Sequence, residues 1–177
     1  MTGSGTTAGK APRRSAVRPV AVAGLSLLGV ATSVYLTLYQ LRIVHGVWDP
    51  FALSGSAWVL RRSPLVRALG FPDASFGVVA YAVELVLHVA AWSRSATAWR
   101  RPWRVLLLGM VAASMAAAGL GLTALQWLFG HWCSLCLVSA ATSLVIAALV
   151  APEVRGGVDL VVERRRHGAR VIEAVTA

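Results

Sequence analysis

The sequence predicts an all-α membrane protein: a bundle of four transmembrane helices with both termini in the cytoplasm. Three observations point there. Of 177 residues, 57% are hydrophobic and 14% charged, and the mean hydropathy is +0.68; a soluble domain carries roughly 45–50% apolar residues. Four apolar runs each approach the roughly 20 residues that a hydrocarbon core demands. The net charge of +10 rests on 17 Lys and Arg, which gather at the ends of those runs as they do in membrane proteins. So strong a basic balance can mean nucleic acid, but this placement speaks for a membrane, and no nucleic-acid partner is expected.

Residues 1–18 are rich in Gly, Ser and Thr and hold Lys10, Arg13, Arg14 and Arg18. A signal peptide also opens with positive charge, but its apolar core runs about 7–15 residues before a small-residue cleavage site. Here the apolar run from Pro19 to Leu41 is longer and closes on Tyr35, Tyr39 and Gln40. The expectation is a disordered basic cytoplasmic tail over 1–18, followed by the first span of a transmembrane domain over 19–151. Residues 44–74 are the one sizeable loop. The stretch Trp58–Leu69 is apolar on one side and basic on the other, which fits a broken amphipathic helix on the membrane surface or an ordinary solvated loop.

The second span, Ser75 to Trp92, carries Glu84 and His88 four residues apart, and therefore on one helix face. At 1.5 Å per residue, Glu84 lies roughly 13 Å along that helix. Ionisable side chains inside a span are costly and by default functional. This pair either relays protons or is satisfied between helices by Gln126, Thr123 or Ser114. The third span, Val105 to Phe129, repeats Ala113, Ala117 and Gly121 at every fourth residue, a small-residue face that admits a close neighbour. The fourth runs from Cys133 to about Val150. Pro152 follows and opens a basic cytoplasmic tail, 152–177, with Arg155, Arg164, Arg165, Arg166 and Arg170. That tail reads as a helix on anionic lipid or as disorder.

The arginines orient the chain. The two tails and the loop over Ser93–Arg104 hold 13 of the 17 Lys and Arg, and only Arg42, Arg61, Arg62 and Arg67 lie on the other side. Positive residues stay in the cytoplasm, so the first loop and the Gly130–Trp132 turn are extracytoplasmic. The location is a cell membrane, crossed several times.

Cys133 and Cys136 are the only cysteines, spaced C-x-x-C at the start of the fourth span. Two cysteines make no disulfide framework. They make no structural zinc site without histidines, and His45, His88 and His167 are scattered. A c-type haem needs C-x-x-C-H, and Leu137 stands at that place, so no metal is expected. The thiolate is the reactive form of cysteine. A first-turn cysteine faces unpaired N–H groups and the positive end of the helix dipole, which favour it. Three-residue spacing puts both sulfurs on one side, in a compartment where disulfides persist. Cys133 is nearer water and can exchange with a partner thiol; Cys136 is nearer the apolar bundle and can meet a membrane-dissolved acceptor. His131 is an acid–base candidate for Cys133 or an interfacial residue. The seven tryptophans fall near span boundaries, as aromatic belts do.

Four stretches resemble the vitamin K epoxide reductase family, in its bacterial branch of membrane thiol–quinone oxidoreductases. They are Gly29–Thr37; Leu60–Pro72 with Ser63-Pro64 and Leu69-Gly70-Phe71-Pro72; Phe76-Gly77 through Tyr81; and Gly130–Ala140. The likeness covers roughly residues 20–150. It implies a four-helix bundle around a lipid quinone, with Cys136 reducing the quinone and Cys133 taking electrons from upstream. It also implies a thioredoxin-like extracytoplasmic partner, or a small dithiol, and a role in disulfide bond formation. Asp73 aligns with a quinone-binding amide of vertebrate members. The family's second cysteine pair would fall near Asp49 and Ala57, and this chain lacks it. A partner then attacks the Cys133–Cys136 disulfide directly, or a separate protein supplies the shuttle, or the chain no longer oxidises protein thiols. The alternative reading is a non-catalytic membrane protein that kept the fold.

Overall fold

The computed structural model describes residues 17–51, 55–62, 70–93 and 102–167, leaving aside the side chains of residues 62, 91–93 and 102. The stretch 1–16, the Ser63-Pro64 and Leu69 positions, the arginines at 94, 100 and 101, and residues 168–177 lie outside the described residues. Five helices follow one another: α1 (Val17–Gln40), α2 (Ser56–Arg62), α3 (Ala74–Ser93), α4 (Pro102–Phe129) and α5 (Ser134–Arg166). Among the described residues there is no strand. Three helices, α1, α4 and α5, are long and apolar enough to cross a membrane; the apolar part of α3, Ala74–Ala90, is shorter.

The long helices pair α1 with α3 and α4 with α5, and α1 against α5 joins the pairs. Their shared core is Val22, Tyr81, Leu108, Ala112, Met115, Ile146 and Val150. Tyr81 sits at the crossing. Its ring lies where a side chain on Gly29 would stand, so a glycine there lets α1 and α3 approach. Its hydroxyl reaches across to α5, donating to the Ser139 carbonyl at 2.6 Å and bonding Ser143 Oγ at 2.7 Å. One aromatic residue thus fills an interhelical gap with its body and satisfies its polar tip on a third helix.

The α4–α5 contact departs from the expected register. Ala113, Ala117 and Gly121 are exposed, and a side chain added at Gly121 would meet nothing within 4 Å. The buried row is Leu108, Ala112, Met115 and Gly119. A Cβ on Gly119 would stand 3.1 Å from Ala140 Cα on α5. The physical reason is that α4 has small residues on several faces, so their spacing does not choose one. Leu108 and Met115 have the apolar area that turns the helix, at positions i and i+7 of one stripe.

The second departure is at Pro152. Instead of ending near Val150, α5 continues through the proline to Arg166. A mid-helix proline forfeits a backbone hydrogen bond and costs about 3 kcal/mol or more. Packing against α4 offsets this: Val154 closes on Gly109, and Gly157 is buried against Val105. At 1.5 Å per residue, the 33 residues of α5 span roughly 50 Å, longer than the ~30 Å hydrocarbon core.

Candidate redox site at the start of helix α5

Gly130, at φ +66°, ends α4 in the left-handed conformation that favours glycine after a helix. Three residues later Cys133 is the N-cap of α5, with extended backbone (φ −113°, ψ 111°), and its Sγ accepts from Cys136 N–H at 3.4 Å. The sulfur therefore does the work that a Ser or Asp oxygen does at most helix starts. The Cys136 side chain also hydrogen-bonds Cys133, so the two sulfurs sit side by side. Both thiols are free and buried, Cys133 at 0% and Cys136 at 3% exposure, so Cys133 is not the nearer to water as the sequence suggested: as the cap of the helix it is covered by neighbouring side chains. Leu36, Tyr39, Leu60 and Leu135 form their apolar shell, flanked by Val47, Val59, Ala74 and Leu122.

The thiol hydrogen bond from Cys136 holds the Cys133 thiol below its ordinary range. Burial opposes this, the Cys136 N–H and Ser56 add to the lowering, and the Asp49 carboxylate pushes upward. Cys133 is thus the member of the pair whose environment favours the nucleophilic form.

The loop between α1 and α2 closes over this start. Asp49 accepts from Ser134 Oγ at 2.5 Å, Ser56 Oγ at 2.6 Å and Phe51 N–H at 3.2 Å. Ser56 in turn bonds Cys133. Gly55 lies against the Trp132 backbone, where a Cβ would stand 2.5 Å from N and 2.8 Å from O. Tyr35 anchors the front of the loop, accepting from Trp48 N–H at 2.8 Å and donating to the Gly46 carbonyl at 3.0 Å. Trp58 of α2 stacks on His131, ring centroids 4.1 Å apart. That contact gives His131 a packing role, and it takes Trp58 out of the belt, whereas Trp48 and Trp127 are exposed as belt residues are.

Two glutamines frame the site. Gln126 of α4 accepts from Cys133 N–H through Oε1 at 2.6 Å. Its Nε2 is buried and has no hydrogen-bond partner among the described residues. Gln40, the last residue of α1, donates from Nε2 to Asp73 Oδ1 at 2.5 Å and accepts from Ala74 N–H at 3.3 Å. Asp73 thereby joins α1 to the start of α3, within electrostatic reach of Cys136.

Sequence reasoning placed Cys133, Cys136 and Asp73 at one end of the bundle, and the structure brings them together. It missed Ser56, Ser134 and the capping role of Gln126. Only the last had a signal, an amide in an otherwise apolar helix seven residues before a cysteine. The partners expected for Glu84 and His88 are otherwise engaged: Thr123 bonds Gly119, Ser114 bonds Val111, and Gln126 bonds Cys133. His88 Nδ1 donates to the Glu84 carbonyl at 3.0 Å and lies 3.8 Å from its Oε1. Neither Glu84 carboxyl oxygen has a hydrogen bond among the described residues. Glu153 of α5 lies within electrostatic reach of His88.

Comparison with known families finds one match: the model of the vitamin K epoxide reductase family covers residues 20–151, well over half of the chain. No curated protein and no solved structure matches.

Proposed function

The chain belongs to the vitamin K epoxide reductase family, a family of membrane oxidoreductases, and on that premise we propose that it passes electrons from extracytoplasmic dithiols through Cys133 and Cys136 to a lipid quinone. The observation that carries this reading is the sulfur pair itself: two free thiols, hydrogen-bonded to each other, in an apolar shell at the first turn of a span-length helix. In this reading the bundle has four spans, α3 included, with both termini cytoplasmic, and it serves disulfide formation outside a cell membrane.

The exchange balances as follows. A thiolate of the donor attacks Cys133 Sγ of the Cys133–Cys136 disulfide; a mixed disulfide forms and Cys136 leaves as thiolate. The donor's second thiol then attacks its own mixed-disulfide sulfur, releasing Cys133 and an oxidised donor. Cys133 suits the second step, in which it is the leaving group, because a thiol with a lowered pKa leaves faster. Re-forming the Cys133–Cys136 disulfide releases two electrons and two protons, which the quinone accepts. The residues present fit such an acceptor: the shell around Cys136 is apolar, and Asp73 with Gln40 supplies polarity at its edge. We assign Asp73 to the quinone site on that ground. With Asp49 and Ala57 at the positions of the loop cysteines, the donor, a thioredoxin-like protein or a small dithiol, attacks Cys133 directly.

The test is purification with bound quinone, followed by titration with dithiothreitol while quinone absorbance is read. Reduction by the wild type and its loss in Cys136→Ala is the expected result. No reduction by the wild type overturns the proposal and leaves a non-catalytic member of the fold.

A further inference from the structure

Buried side-chain donors without an acceptor are rare in native proteins, and each asks for an explanation. Among the described residues Gln126 Nε2 is one, on a residue only 2% exposed. The orientation of its amide follows from chemistry: the group 2.6 Å away is the Cys133 N–H, a donor, so the carbonyl oxygen must face it and the NH2 must face elsewhere. Leu122, one turn earlier on the same helix face, packs into the apolar cluster around the two cysteines. The free donor therefore belongs to the neighbourhood of the sulfurs.

We propose that Gln126 Nε2 donates the hydrogen bond that holds one carbonyl oxygen of the quinone beside Cys136, an inference that rests on the thiol–quinone reading above. The acceptor that would satisfy it in this apolar shell is an oxygen carried by a molecule that tolerates an apolar lodging. A quinone carbonyl has both properties. One amide then serves both partners of the reaction: its oxygen fixes the cap residue of the redox helix and its nitrogen fixes the electron acceptor. A preorganised donor aimed at an oxygen that gains negative charge favours the transfer as well as the binding. Gln126 is thus a quinone-binding residue that positions the acceptor.

The test uses the full chain in lipid nanodiscs and menadione with 13C at its carbonyls. Infrared difference spectra read the hydrogen bond directly. In the wild type, one carbonyl band falls below its position in lipid alone. In Gln126→Met that lowering disappears, and menadione binding, read by quenching of tryptophan fluorescence, weakens about tenfold. A second measurement needs no folded variant at this position. The chain has two glutamines, Gln40 and Gln126, so side-chain 15N labelling gives two amide signals, assigned with Gln40→Glu. Menadione should move the Gln126 signal, and by more than that of Gln40 at the edge of the site. If menadione binds while the Gln126 signal stays still and both carbonyl bands keep their lipid positions, a buried water holds the amide and the inference falls, with the oxidoreductase reading intact. If the wild type neither binds menadione nor reduces it with dithiothreitol, the oxidoreductase reading falls and takes the inference with it.

Discussion

The cysteine end of the bundle and its middle bury polar groups in opposite ways. At the cysteine end Asp49, Ser56, Ser134, Gln126, Gln40 and Asp73 come from different helices and loops, and each meets another across a gap. Among the described residues, Gln126 Nε2 is the one buried side-chain polar atom there without a partner. In the middle Tyr81, Ser139 and Ser143 bond one another, but Ser26 Oγ and both carboxyl oxygens of Glu84 have no hydrogen bond among the described residues. The difference teaches where precision is concentrated. Polar contacts at the cysteine end tie separate elements to the first turn of α5. The unmatched groups in the middle add cost without fixing geometry.

The largest effect that could break this contrast is on activity. Cys133→Ala and Cys136→Ala should each reduce dithiothreitol-driven quinone reduction to the background seen without protein, whereas Glu84→Gln should leave a readily measured rate. Equal losses from all three would make the middle as much a part of the chemistry as the end.

Next in size is stability. Asp49→Ala strips a charged acceptor from Ser56 and Ser134, and hydrogen bonds to charged groups contribute roughly 1.5–3 kcal/mol each. A loss of about 2–4 kcal/mol, read as a lower thermal midpoint in detergent, is expected, together with faster alkylation of Cys133. Glu84→Met should go the other way. Removing a buried carboxyl that lacks hydrogen bonds among the described residues and filling its volume with apolar atoms recovers a desolvation cost of roughly 1–3 kcal/mol. A destabilised Glu84→Met protein would mean that the carboxyl has a partner after all.

The smallest effect is on pH dependence. Because the Cys136 thiol hydrogen bond lowers the Cys133 pKa, alkylation of Cys133 in reduced protein should reach half-maximal rate below the ~8.5 of a free thiol. Cys136→Ala removes the first cause of the lowering, so the midpoint should move up. Ser56→Ala should move it up by less. Mass spectrometry of iodoacetamide-treated protein across pH 6–10 (a range chosen about the ordinary thiol value) reads each shift.

Much of this arrangement was legible in the chain. Two sulfurs three residues apart at the start of an apolar run dictate their own proximity, because helix geometry is local. The runs in α1, α4 and α5 were equally plain, since their length is a direct demand of the membrane, whereas the apolar part of α3 is shorter than the span expected there. The misread features involve a choice between partners. Ala113 and Ala112 are neighbours of the same type, and only the bulk of Leu108 and Met115, set against α5, selects between them. Pro152 reads as a stop until Gly109 and Gly157 allow α4 and α5 to close beyond it, at Val154 and Val105. Asp49 and Ser134 stand 85 positions apart, a pairing that no periodicity announces.

The capping sulfur of Cys133 has one further consequence. A helix start held by a sulfur has a strength that varies with the electrons that sulfur carries. As a thiolate it is a full anion at the positive pole of α5, a placement that stabilises a helix by about 0.3–1 kcal/mol at exposed ends. Once bonded to Cys136 it loses that charge, and a covalent ring replaces the electrostatic grip. In the proposed cycle the first turn of α5 would therefore be secured in two different ways, so that the oxidation state would be recorded in how the backbone is fastened as well as in the sulfurs.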